Sequence, residues 1–245
     1  EAVKKVIHSL NSQTLFPKEI LICDSSSKDE IEDLIKTIES KIEIKYFRVG
    51  KAFPFDRILI SFNNILFKRR MLNFKHKGRA FPYEATNIGS EQATGEFLAF
   101  LDATTIPEKD WLKDYLLIYK EKKVNVVFGK TKYLALTSFQ KLLRASTYGR
   151  RGHETIPGTL IRKEDFLLSG QIIKGVRSGG DIEWRNRVKS MFSFNLPKKP
   201  YLSYSYLSKD LVTASKKIFI YQLHGSRLDI QNTVKDIYLG LALIF

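Results

Sequence analysis

Two aspartates sit where apolar runs end, and each is followed by hydroxyl side chains. Asp24 closes the run EILIC and precedes Ser25, Ser26 and Ser27. In a loop that opens a helix, such a carboxylate can accept a hydrogen bond from a base or ribose, while the free amides of the helix start attract phosphate. The same residue types also serve ordinary turn and cap chemistry. Asp102 closes FLAFL and precedes Thr104 and Thr105. A strand-end carboxylate can hold a divalent cation that neutralises a departing diphosphate, although one aspartate alone does not specify such a site. The four histidines are His8, His76, His153 and His224, and no pair has the spacing of a metal-binding helix. His224, in YQLHGSR, is the candidate for a late pocket or metal contact. Nothing resembles a phosphate loop, a zinc ribbon or a hydrolase elbow.

The elements that must position these residues follow from periodicity. Glu19–Cys23 reads as a short buried strand; Ser27 with Glu30 forms a capping-box pattern, and Ile31, Leu34, Ile35 and Ile38 then recur at helical spacing. Ile42–Phe47 alternates as a half-buried strand, and Tyr83–Ala93 reads as a helix of small residues. Phe97–Leu101 is apolar throughout, as central parallel strands are. Trp111, Tyr115, Leu116 and Tyr119 have helical spacing, NVVFGK from Asn125 returns as a strand, and Thr159–Lys163 as another. A helix opens near Asp181 with Trp184, Val188 and Met191 on one face. This alternation predicts an α/β fold over 1–245, one domain with a mainly parallel, Rossmann-like sheet flanked by helices. Ligands bind at the carboxyl edge of such a sheet.

Composition bounds the rest. The chain has 245 residues, 43% of them hydrophobic, which suffices for a well-buried core. Its single cysteine, Cys23, lies in an apolar run, so no intrachain disulfide forms and a buried, inert thiol is expected. The formal charge of +15 favours an anionic partner such as phosphate, nucleic acid or an acidic membrane surface. No nucleic-acid motif accompanies the charge, which argues against that partner. The segment 58–79 breaks the alternation and reads as an insertion. Read as a helix, it shows Leu, Ile and Phe beside Lys68, Arg69, Arg70, Lys75 and Lys77, the composition of an interfacial membrane helix or of a core-packed helix with a solvated basic rim. The chain opens without methionine and stops in IYLGLALIF, which leaves a following membrane segment open. The expected location is the cytoplasm, peripheral to the inner face of the plasma membrane.

The segment GEFLAFLDATTIP resembles the GEYIAFLDADDIP-type segment of family 2 glycosyltransferases of the GT-A fold. SLNSQTLFPKEILICDSSSKD is similar to their first nucleotide-binding region, YEATNIGSEQATGE to the helix before their metal motif, and PGTLIRKEDFLLSG with GGDIEWRNRV to their acceptor-side segment. The resemblance implies an inverting transfer of sugar from a nucleotide-diphosphate donor to a hydroxyl of a glycan or lipid-linked acceptor, in cell-surface polysaccharide synthesis. It makes Asp181 the catalytic base and places Asp24, Ser25, Ser26, Asn87, Asp102, Ala103 and Thr104 against the nucleotide sugar. Arg185 and Arg187, four and six residues after the base, then offer fork-shaped donors to a diphosphate or anionic acceptor.

Three departures qualify this. Thr104 stands where the DxD motif has its second acid, so a Mg²⁺ or Mn²⁺ ion on Asp102 would have fewer charged ligands. A homologue that binds nucleotide without turnover also fits that change. Gly180 stands where the family has an acid beside its base. The family's first strand would precede Glu1.

Overall fold

The computed structural model describes residues 1–25, 30–49, 81–225 and 228. The basic segment 58–79, Ser26 and Ser27 lie outside the described residues.

The chain opens with α1 (Ala2–Leu10), whose buried Val6, Ile7 and Leu10 turn inward. It continues through β1 (Glu19–Asp24), α2 (Glu30–Thr37) and β2 (Glu43–Arg48). β1 and β2 pair in parallel, with Ile20 opposite Ile44 and Asp24 opposite Arg48. After α3 (Pro82–Gln92) come β3 (Phe97–Ala99), β4 (Thr105–Pro107), α4 (Trp111–Lys122) and β5 (Val126–Tyr133). The remainder is α5 (Ser138–Thr147), β6 (His153–Arg162), α6 (Lys163–Ser169), α7 (Gly180–Met191), β7 (Phe194–Asn195), β8 (Leu202–Tyr204) and α8 (Leu211–Gly225).

The larger sheet has the order β3-β6-β5-β8-β4, with β7 also beside β5. It is mixed, which corrects the mainly parallel sheet expected from the alternation of elements. β5 runs parallel to β7 and β8, but β6 runs against both of its neighbours, β3 and β5, and β4 runs against β8. Alternating helices and strands specify that layers form; they do not specify which strand is inserted between two others.

The apolar run 97–101 is regular strand only to Ala99. Phe100 still exchanges hydrogen bonds with Thr159 and Gly158, so the run stays attached to β6 as it approaches Asp102. β1 and β3 run in the same direction. Their starts are joined where Glu19 binds Thr94, and Ser25 and Asp102, just beyond their ends, line one cavity of about 770 Å³. Ile20 and Ile22 of β1, Leu98 of β3 and Val6 of α1 line its length.

The core has two parts. Leu10, Ile20, Trp111, Tyr115, Val127 and Leu202 pack α1 and α4 on one face. Leu98, Phe128, Ile161, Phe166, Trp184 and Val188 pack α6 and α7 on the other. Trp184 is fully buried and meets Phe100 and Phe128 edge-on, which fixes α7 by its second turn. Cys23 is half-buried rather than fully so, and burial pushes its thiol up to about 11.

Candidate active site at the carboxyl edge

Asp102 lies in the turn between β3 and β4, where its carbonyl accepts from the Thr105 N–H at 3.1 Å. Residues 102 and 103 are exposed, Thr104 is half-buried and Thr105 is buried. The Asp102 carboxyl is raised to about 6, first by the protein around it and then by the charge of Asp181. Asp181 occupies the first turn of α7, behind Gly179, whose φ of 87° is a backbone state that glycine adopts without strain.

The Asp181 carboxylate has two neighbours. The Tyr83 hydroxyl donates to Oδ1 at 3.0 Å, and Arg185 Nη2 lies 3.8 Å from Oδ2. Arg185 is itself anchored, donating to the Glu154 carbonyl at 2.7 Å and facing the Glu154 carboxylate at 3.3 Å. Burial and the Asp181 charge push the Tyr83 phenol far up, so it stays a donor across the physiological range. Tyr133 and Tyr221 sense both aspartates, Tyr204 senses Asp102, and Lys217 lies 5.6 Å from the ring centres of Tyr204 and Tyr221. A tyrosine wall thus stands beside the two acids.

The fold therefore brings together Asp102, Ala103, Thr104 and Ser25 on one cavity, and Asp102, Asp181 and Arg185 in one electrostatic neighbourhood. Four other candidates are placed differently. Asp24 is buried, and its Oδ2 accepts from Tyr46 and from Arg48, both at 3.0 Å, so any nucleotide contact shares the carboxylate with β2. Asn87 is buried, and its amide pairs in both directions with the Ile172 backbone, at 2.8 and 3.0 Å; it binds a loop.

Arg187 faces away from the acids. It pairs with Glu183 through two bonds and donates to the carbonyls of Ser169, Gly170 and Gln171 at the end of α6. His224 is buried, its Nδ1 accepting from the Arg177 N–H at 3.3 Å and its ring edge-on to Phe81. Among the described residues no three His, Cys, Asp or Glu side chains converge on a metal position. A lone carboxylate with a hydroxyl neighbour suits an ion that takes most of its other ligands from diphosphate oxygens and water.

Sequence reasoning missed Tyr83, Glu154 and the tyrosine wall. Tyr83 sits in a helix of small residues and reaches a partner 98 positions away, which no local pattern signals.

No protein-family model matches the sequence. The chain is similar to glycosyltransferase AglE of Haloferax volcanii, at 22% identity over 199 residues, 76% of this chain and 57% of that protein. It is similar to chondroitin synthase of Escherichia coli, at 22% identity over 80% of this chain and 24% of that protein. It therefore spans little more than half of the first relative and a quarter of the second. Among solved structures, S. aureus TarS 1–349 in complex with UDP-GlcNAc superposes with a TM-score of 0.58 at 15% identity, over 86% of this chain and 57% of that one. Its complex with UDP gives 0.57 at 16% identity, over 96% and 64%. Among the described residues no helix is long and apolar enough to cross a membrane. In sequence the chain is thus similar to glycosyltransferases, and its fold is of the GT-A type.

Proposed function

We propose that this domain is an inverting glycosyltransferase that moves a sugar from a nucleotide-diphosphate donor to a hydroxyl of a glycan or lipid-linked acceptor in polysaccharide synthesis. The observation that carries the reading is Asp181, held at the start of α7 by Tyr83 and facing the electrostatic neighbourhood of Asp102. The donor lies along Ser25 and Asp102 to Thr104, at the carboxyl edge of β1 and β3. Asp181 takes the proton of the acceptor hydroxyl as that oxygen forms its bond to the anomeric carbon, and the nucleoside diphosphate leaves from the opposite face. A solved relative in complex with UDP-GlcNAc and with UDP supports a nucleotide-sugar donor.

A divalent cation, where bound, would be held by Asp102 and would neutralise charge on the departing diphosphate. Arg185 is the cation beside the base and limits charge build-up between the two aspartates. Thermal-shift screening of UDP, GDP, dTDP and CMP compounds, with and without Mn²⁺, tests the reading; no stabilisation by any of them would remove it. Docking of the basic segment on an anionic membrane is proposed on charge alone. Co-sedimentation with anionic vesicles that survives Lys68→Glu, Arg69→Glu and Arg70→Glu together would refute it.

A further inference from the structure

We infer that Tyr83 is the positioning residue of Asp181, and that Gly180 lacks a side chain because the Tyr83 ring occupies the space one would take. The inference rests on the reading of Asp181 as the base. A β-carbon built on Gly180 would lie 2.8 Å from Cε2 and 2.9 Å from Cδ2 of Tyr83. Those atoms belong to a rigid ring within a helix, not to the free end of a flexible chain. The ring passes over the backbone at Gly180 and delivers its hydroxyl to Oδ1 of the next residue at 3.0 Å. Size at position 180 and hydrogen bonding at position 181 are thus two aspects of one contact. The glycine that departs from the family pattern thereby gains a physical reason: in this chain a phenol on α3, rather than an acid on α7, stands beside the base.

The first turns of α3 are organised for this task. Glu84 accepts from the Gly175 N–H at 3.0 Å and from the Phe81 N–H at 3.1 Å, and Asn87 holds Ile172. Tyr83, Glu84 and Asn87 therefore tie one helix to the loop at 172 and 175 and to the base that follows it. The charged and titratable groups facing Asp181 are Tyr83 from α3, Arg185 from its own helix, Asp102 from the β3–β4 turn, Tyr133 from β5 and Tyr221 from α8. Of these, among the described residues, Tyr83 is the group that donates a hydrogen bond to the Asp181 side chain. A donor to the ionised carboxylate favours that form. It fixes the rotamer of the base.

The test uses the intact protein labelled with ¹³C-aspartate, with Asp181→Asn identifying the Asp181 carboxyl signal. In Tyr83→Phe, which keeps the ring, the Asp181 carboxyl signal should shift and broaden as the side chain loses its fixed rotamer; an unchanged signal overturns the positioning role. Thermal melting tests the size relationship separately. Gly180→Ala should lower Tm in the native background and no longer do so in Tyr83→Ala, because alanine is the better helix former once the ring is gone. Equal effects in both backgrounds overturn it. Neither readout needs turnover, so a protein that transfers no sugar would sink the reading of the base while leaving this contact tested. With a turned-over donor, Tyr83→Phe should lower kcat while the donor KM stays unchanged.

Discussion

The Glu19 carboxylate at the start of β1 accepts from the Thr94 N–H at 2.6 Å and from its hydroxyl at 2.9 Å, while its other oxygen meets Lys45 Nζ at 2.7 Å. One buried carboxylate thus joins the starts of the two strands whose far ends carry the site. Burial pushes this acid up, but Lys45 and Thr94 outweigh it and hold it down to about 2. Its unfolded value is about 4.3. A depressed carboxylate stabilises the fold above the unfolded value, and that contribution is lost as pH falls through the folded one. Glu19→Gln should cost about 1–3 kcal/mol in urea unfolding at pH 7, and the gap to the native protein should close between about pH 4.3 and pH 2. A pH-independent gap would refute this role.

If Asp181 is the proposed catalytic base, Asp181→Asn should lower kcat by about 10²–10⁴-fold and leave nucleotide binding unaltered, since in that role it serves the acceptor hydroxyl rather than the nucleotide. Release of nucleoside diphosphate and thermal shift measure the two effects. Full activity in this variant would end the assignment.

Arg187 should be a residue of stability, not of ligand affinity. Its side chain is 28% exposed and its donors go to Glu183 and three carbonyls at the end of α6. Arg187→Ala should cost about 2–4 kcal/mol by urea unfolding, because Glu183 and those carbonyls lose their partner. Arg187→Lys keeps the charge but not the fork and should recover less than half of the loss. A variant of native stability with weakened donor binding would reverse the assignment.

Thr104→Asp should restore a second acid beside Asp102. Calorimetric titration of Mn²⁺ in the presence of UDP should show binding tightened by about tenfold, since added ligand charge raises affinity for a hard cation. Unchanged affinity would mean that the β3–β4 turn does not hold the ion.

Much of this architecture was legible wherever a local pattern decides. EILIC became β1, extended by Asp24; the small-residue helix became Pro82–Gln92; and the Trp184 and Val188 face became the buried side of α7. Local patterns did not reveal strand direction, because a strand's own residues look alike whether its neighbour runs with it or against it. They also gave equal weight to Arg185 and Arg187, which are two residues apart on α7 and so point in different directions, one to Asp181 and Glu154 and one to α6. Tyr83 stayed hidden for a third reason: its partner is remote in sequence, and the glycine that admits its ring reads as a gap in the motif.

The reversed strand β6 has a consequence for how the protein comes into being. Among the described residues β3 has β6 as its pairing partner, with Phe97 opposite Arg162. On the ribosome, the segment that carries Asp102 emerges long before the strand that anchors it, and non-local pairing of this kind is slow. Until β6 arrives, β3 presents an unprotected edge. The edge that carries Asp102 is thus assembled late in folding, and fragments ending before residue 162 should contain the sequence of the candidate site without its form.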